Sequence, residues 1–186
     1  MPGRRLAAGG WRLAAGGWRL AAGGWRLAAI TLTDTSGDRV PPDELGAGRS
    51  VLYLHPLSGG PDVDLPEGWE SIPGARGCTA EACGFRDHHR ELVDAGATTV
   101  YGLSCQDTAY QQEVVKRLRP PFALLSDPCL ELAAALGLPT FEAGGTQLYS
   151  RLMLIVHDGM IEHVFHPIDG PGEHAGQVPA WLKGTT

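Results

Sequence analysis

No stretch of this chain approaches the roughly 18 consecutive apolar residues that a membrane helix needs, so no membrane span is expected. Acid is missing from the first 33 residues, which hold five arginines: Arg4, Arg5, Arg12, Arg19 and Arg26. The remainder carries 10 basic residues against 21 acidic ones, a net of −11. So acidic a body repels a phosphate backbone, and a nucleic-acid partner is not expected. Cysteine is scarce: four in 186 residues lack the density and spacing of a secreted disulfide scaffold. A reducing cytoplasm is the expected setting. Cysteines there are more often catalytic, redox or metal-binding than structural. The rest of the composition, 43% hydrophobic and 19% charged, is that of one ordinary domain, or one domain with a tail.

The tail is the first feature present. RLAAGGW units recur with a period of seven from Arg5, placing Trp11, Trp18 and Trp25 at equivalent positions. A coiled coil is excluded, because each unit contains a Gly-Gly pair and each glycine costs a helix about 1 kcal/mol. Nor is there the continuous apolar core of a signal peptide. Residues 1–28 are therefore expected to be a disordered, repeat-expanded tail. The alternative is that its Trp and Arg residues dock on a partner, an anionic surface or the chain's own acidic body.

Past Ile30 the pattern changes to that of a folded domain over residues 29–186. "AITLTDTSGDRV" reads as a short hairpin and Ser50–Pro56 as a buried central strand. A Gly/Pro-rich loop follows, then a helix from Cys78 to a cap at Gly96 and a strand over Thr98–Ser104. Asp107 caps a helix ending at Leu118. "FALLSD" is a strand, and Pro128 to Gly137 a helix with proline in first position. "SRLMLIVHDGMIEHVFHP" is a hairpin around Asp158-Gly159, and "AGQVPAWLKG" a closing helix. The order predicts an α/β fold: a mainly parallel sheet with helices on both faces and an added antiparallel strand.

Cys78 and Cys83 pose the chemical question. Zinc is disfavoured, since no second cysteine pair exists and His88 and His89 are adjacent and point apart on a helix. Cys83 could be a small buried hydrophobe. Cys78 is expected at an accessible helix start. Unpaired N–H groups and the helix dipole there favour a thiolate, with Arg76 adding charge. Five residues advance a helix by about 7.5 Å and turn it by about 500°. The two sulfurs therefore cannot bond until the first turns unwind. That suits a cycle in which Cys78 becomes a sulfenic acid, Cys83 condenses with it, and an outside thiol reduces the pair.

"GCTAEACGFRD" resembles the active-site segment of the peroxiredoxin Q group, also called bacterioferritin comigratory proteins. The likeness continues through "VYGLS", "FALLSD", the late hairpin and "AWLK", covering roughly Ile30 to Lys183. The resemblance implies a thioredoxin-like fold and a thiol peroxidase acting on hydrogen peroxide or organic hydroperoxides. Thioredoxin or a glutaredoxin-like dithiol would supply electrons. Cys78 would be the peroxidatic cysteine, Cys83 the resolving one, and Arg151 the active-site arginine. No cofactor or metal is implied, and a monomer or weak homodimer is expected.

One departure stands out. The family pattern P-x-x-x-T-x-x-C would place its proline and threonine where this chain has Ser71 and Ala75. The matching proline is Pro56, 22 residues before Cys78, so the loop is longer by 15. Ser58, Ser71 and Thr79 are the candidates for the missing hydroxyl, and Trp69 and Pro66 for an apolar mouth. Cys105 and Cys129 are expected to be structural thiols, although Cys129 also falls in a helix's first turn. His55 is expected to serve packing. The rival functions are a peroxide-responsive thiol sensor with poor turnover and, below it, a disulfide reductase, which would want a C-x-x-C.

Overall fold

The computed structural model of the chain describes residues 12–14, 17–19 and 25–185. Strands β1 (Arg12–Ala14) and β2 (Gly17–Arg19) pair only with each other among these residues. The main sheet is built from β3 (Trp25–Arg26), β4 (Leu32–Asp34), β5 (Arg39–Val40), β6 (Arg49–Leu54), β7 (Ala97–Ser104) and β8 (Leu124–Ser126). After a separate hairpin of β9 (Thr140–Ala143) and β10 (Thr146–Tyr149), β11 (Leu152–His157) and β12 (Met160–Phe165) complete it. Its order is β3-β12-β11-β6-β7-β8-β4-β5.

The sheet is mixed, but its parallel part is smaller than the strand–helix alternation implied. Among the described residues only β6, β7 and β8 run parallel; the hairpins and the β11–β6, β12–β3 and β4–β8 pairings are antiparallel. The central run of β6 is buried on both faces, as its unbroken apolar sequence requires. Val51 and Tyr53 face one core with Phe85, Leu92, Val114 and Val178. That side carries α1 (Cys78–Asp87), α2 (His89–Asp94), α3 (Thr108–Leu118) and α5 (Pro171–Gly184). Leu52 and Leu54 face the other core with Leu132 and Leu136 of α4 (Glu131–Leu136).

Several boundaries differ from expectation. The helix expected to run unbroken from Cys78 stops and restarts at His88, where His-Asp neighbours give little intrinsic helix propensity. Helix α4 starts at Glu131 and not at Pro128. Leu130 is left-handed (φ 53°), and the Asp127 carboxylate accepts the Glu131 and Leu132 N–H groups at 2.8 and 3.0 Å. Cys129 therefore lies outside the helix, exposed in the preceding turn. Helix α5 begins four residues before Ala175, with Pro171 in first position. The β9–β10 hairpin was not anticipated. Gly144 and Gly145 (φ 57° and 77°) supply the two left-handed residues that a tight two-residue connection needs.

The boundary drawn at residue 28 falls late. Trp25 and Arg26 pair with Ile161 and Met160, and Leu27 is buried in the core. The expectation of disorder for residues 1–28 otherwise falls mostly outside the described residues.

Candidate active site

The site forms where three segments meet: the end of β6, the start of α1 and the residue before β11. β6 delivers His55, Pro56 and Leu57, and the long loop leaves from there. Ser58 anchors the loop's first part, its N–H donating to Gln106 Oε1 (2.8 Å) and its carbonyl accepting from Tyr110 Oη (2.7 Å). Trp69, in a single 3-10 turn over Trp69–Ser71, anchors the second part. It is buried with Ala75, Ala143 and Leu148 against the β9–β10 hairpin. The inserted residues thus loop outward while both ends of the segment return to Cys78.

Cys78 is the first residue of α1. Gly77 precedes it with φ 98°, a conformation costly for any residue with a Cβ. A Cβ there would also overlap Pro171 of α5. No side chain caps α1, so its first N–H groups remain directed at the sulfur's surroundings. The Cys78 thiol donates to the Ala75 carbonyl at 3.8 Å, and the nearby Leu57 backbone N–H favours the thiolate form.

Arg151 is the organising group. Only 3% exposed, it donates from Nη2 to Cys78 Sγ at 3.1 Å and to the Arg76 carbonyl at 2.9 Å. The Gly74 and Ala75 carbonyls accept further bonds, each at 3.3 Å. Nη1 makes a buried ion-pair contact with Glu81 Oε2. The guanidinium therefore fixes the loop end, the helix and the sulfur together, a use of its planar fork that lysine could not reproduce.

The electrostatics differ from the expectation of an accessible, acidic thiol. Cys78 is only 4% exposed. Burial pushes its thiol up; the Arg151 charge and the Leu57 and Arg151 hydrogen bonds pull it down, and Glu81 adds an upward push. The first turn of α5 lies against the same helix: a Cβ on Gly84 would sit 2.7 Å from the Gly172 carbonyl. Burial also pushes the Glu81 carboxyl up to about 8, against Arg151. The same burial that raises Glu81 weakens its claim on the guanidinium, which Cys78 Sγ shares.

The remaining expected residues fall in different places. The Arg76 guanidinium turns to the surface, pairing with Glu70 at 2.8 Å; only its carbonyl meets Arg151. Ser71 is exposed, its Oγ donating to the Gly68 carbonyl within the turn. Thr79, half-buried in the second position of α1, lies next to the sulfur in sequence. Its hydroxyl makes no hydrogen bond among the described residues. Ala75 is fully buried where the family pattern holds a hydroxyl. Trp69 is a core anchor and does not line an entrance. The apolar walls are Ile72, Phe141 and Ile168, which with Arg76, Arg151 and His166 bound an open cleft of about 590 Å³.

Sequence reasoning missed a polar lining around the Arg151–Glu81 pair. Tyr53 Oη, His55 Nδ1, Glu81 Oε1 and His174 Nε2 are buried without a hydrogen-bond partner. Burial, then the Arg151 charge, pushes His55 down to about 3 and His174 to about 4, so both rings are neutral. Unpaired buried polar atoms are costly and concentrate at functional sites. Glu81 was detectable in principle, three residues after Cys78 on the same helix face. Tyr53 and His55 share one face of β6 by strand alternation. Nothing in the local sequence announces His174.

Cys83 is half-buried five positions along an unbroken α1, and all four cysteines are free. The Arg86 guanidinium lies within reach of its sulfur. Among the described residues, no three His, Cys, Asp or Glu side chains converge on a metal position. No described helix is long and apolar enough to cross a membrane.

Known proteins share this fold. The chain is similar to chloroplastic peroxiredoxin Q of Triticum aestivum, 28% identical over 149 residues, 80% of this chain and 61% of the relative. It thus spans about three fifths of that relative's length. A putative peroxiredoxin bcp of Coxiella burnetii is 28% identical over 80% of this chain and 90% of its own length. Peroxidoxin BcpB of Mycobacterium tuberculosis superposes with a TM-score of 0.68 at 24% identity, covering 87% of this chain and 96% of that one. The fold is accordingly thioredoxin-like. A family model described as Redoxin matches residues 26–178, most of the chain, and the protein belongs to that family.

Proposed function

We propose that the protein is a thiol peroxidase in which Cys78 is the nucleophile. The observation that carries this reading is the Arg151 Nη2 to Cys78 Sγ contact of 3.1 Å at an uncapped helix start. The sulfur, once deprotonated, attacks the terminal oxygen of a hydroperoxide, and the O–O bond breaks. The departing alkoxide or hydroxide takes the proton the thiol gave up, leaving Cys78 as a sulfenic acid. Arg151 stabilises the negative charge on both sulfur and leaving oxygen, where a fixed donor in a dry site is most effective. The Cys83 thiol then displaces water to form a Cys78–Cys83 disulfide, after the first turns of α1 open. A dithiol such as thioredoxin or a glutaredoxin-like protein restores both thiols by exchange.

The apolar walls of the cleft beside Arg151 favour organic hydroperoxides over hydrogen peroxide. A strong preference for hydrogen peroxide over cumene hydroperoxide would defeat that part. Of the proposed hydroxyls, Thr79 is the best placed, while Ser71 and the Arg76 guanidinium are turned away. The low density of cysteine in the sequence fits a reducing compartment, the cytoplasm being the reading kept, with the protein a monomer or weak homodimer.

A second reading has its own support. Ala75 offers no hydroxyl, and burial opposes ionisation of Cys78; both suit a peroxide sensor that reacts once and turns over poorly. A coupled peroxide assay with thioredoxin decides between them. Wild type should turn over, Cys78→Ser should be inactive, and Cys83→Ser should react once and stall. Indifference of turnover to both substitutions would refute the peroxidase reading, and a single turnover by wild type would favour the sensor.

A further inference from the structure

The seven-residue repeat is not used by the proposed chemistry, yet one copy of it is part of the fold. Trp25 and Arg26 pair with Ile161 and Met160 at the edge of the main sheet, and the Leu27 N–H donates to the Gly159 carbonyl at 2.9 Å. Leu27, 2% exposed, belongs to the core cluster that contains Leu136, Val156 and Ile161. Ala28 and Ala29 follow along a cleft of about 410 Å³ that Asp43, Ala135 and Leu136 also line. The copy covers part of an edge strand whose exposed N–H and C=O groups would otherwise invite pairing with other chains.

The same residues occur twice upstream. Gly-Gly-Trp-Arg-Leu-Ala-Ala at 23–29 is repeated at 16–22 and at 9–15. Whatever contacts the β12 edge and the Leu27 socket make with one copy, they can make with the others. We propose that this edge is a binding site for the Trp-Arg-Leu-Ala-Ala unit, and that the chain's own upstream copies are its alternative occupants, exchanging in steps of seven residues. Leu20 or Leu13 then takes the place of Leu27.

Two costs set the populations. In the observed register four residues, 28–31, link Leu27 to β4. With Leu20 docked the link has eleven, and closing the longer loop disfavours that register about fivefold. The upstream copies must also leave the β1–β2 pairing, but an isolated pair of three-residue strands is marginal in water. The observed register therefore predominates, with the others held in reserve. A second molecule is the weaker competitor, because tethered units are present at effective concentrations in the millimolar range.

The test compares thermal melting of full-length variants. Leu27→Asp should lower Tm by only about 3 °C, because an upstream leucine fills the socket. Replacing Leu6, Leu13 and Leu20 together by Asp should leave Tm unchanged. Combining all four should lower it by about 10 °C or prevent folding. A peptide Gly-Gly-Trp-Arg-Leu-Ala-Ala at millimolar concentration should raise the Tm of the fourfold variant, and the same peptide with Asp for Leu should not. Equal Tm, or equal failure to fold, for Leu27→Asp and the fourfold variant would overturn the proposal. So would a rescue that depends on protein concentration and comes with a doubled mass, since the occupant would then be a second copy.

Discussion

Two cysteines in this chain sit where a helix is expected to begin, and the structure treats them in opposite ways. Cys78 is the first residue of α1, beside an uncapped terminus and Arg151. Cys129 stands two residues before α4, exposed, and the Asp127 carboxylate already occupies that helix's N–H groups. The same sequence signal therefore produces an enclosed sulfur bonded to a guanidinium in one place and an exposed surface thiol in the other. The difference lies in what competes for the helix terminus: a side chain four residues before the first helical residue for α4, and no capping side chain for α1. Proximity to a helix start is not sufficient; the terminus has to be left open and a second charge brought to it.

The largest expected effect comes from removing that second charge. Arg151→Met should reduce the rate of Cys78 with peroxide by about 100-fold or more, the scale of losing a fixed donor in a dry site. The reactivity of Cys129 with an alkylating agent should stay unchanged, which controls for general unfolding. Stopped-flow peroxide consumption and alkylation kinetics measure the two.

The next effect concerns Glu81, which shares the guanidinium. Its carboxyl is held near 8 in the fold against an ordinary 4.5. Between those values the folded state holds a proton that the unfolded chain has released, so stability must fall as pH rises through the window. Each unit of pH inside it costs about 1.4 kcal/mol at most. Denaturant melts from pH 5 to pH 8 should show this slope in wild type and lose most of it in Glu81→Gln. A wild-type slope of zero would mean that Glu81 is ionised throughout.

Breaking the cap on the other helix should matter less. Asp127→Ala frees the Glu131 and Leu132 N–H groups and removes an acceptor from Tyr149 Oη. A loss of about 2 kcal/mol is expected in urea melts. Cys129 should react with peroxide no faster, because it lies outside the helix whose N–H groups have been released. A marked gain at Cys129 would mean that the open terminus alone activates a thiol.

The smallest effect tests how α1 is held. A Cβ at Gly77 meets Pro171 and forces an unfavourable φ. Gly77→Ala should cost about 1–2 kcal/mol and, by loosening α5 from α1, raise the alkylation rate of Cys78 severalfold. Trapping of reduced protein with iodoacetamide measures it.

How much of this was legible in the sequence depends on the range of the interaction. The central strand, expected over Ser50–Pro56 and found over Arg49–Leu54, and the Asp158-Gly159 hairpin are local patterns, and both read correctly. Arg151 came from a resemblance and not from its own surroundings. The α4 start misread because Pro128 and Asp127 both signal a helix beginning, and the carboxylate's reach decided between them. The Gly144-Gly145 turn carried a usable signal that was passed over in a stretch without strong alternation. The burial of Cys78 was beyond local reading: the group that meets its sulfur is Arg151, 73 residues away, and α5 packs on the same helix from further still.

One equivalent of peroxide added to fully reduced protein, followed by mass-spectrometric mapping of all four cysteines, tests the central claim most directly. Exposure alone would oxidise Cys129 first. The account predicts a Cys78–Cys83 disulfide in wild type, a sulfenic acid on Cys78 in Cys83→Ser, and Cys129 intact in both. Oxidation at Cys129 or Cys105 with Cys78 still reduced would contradict it.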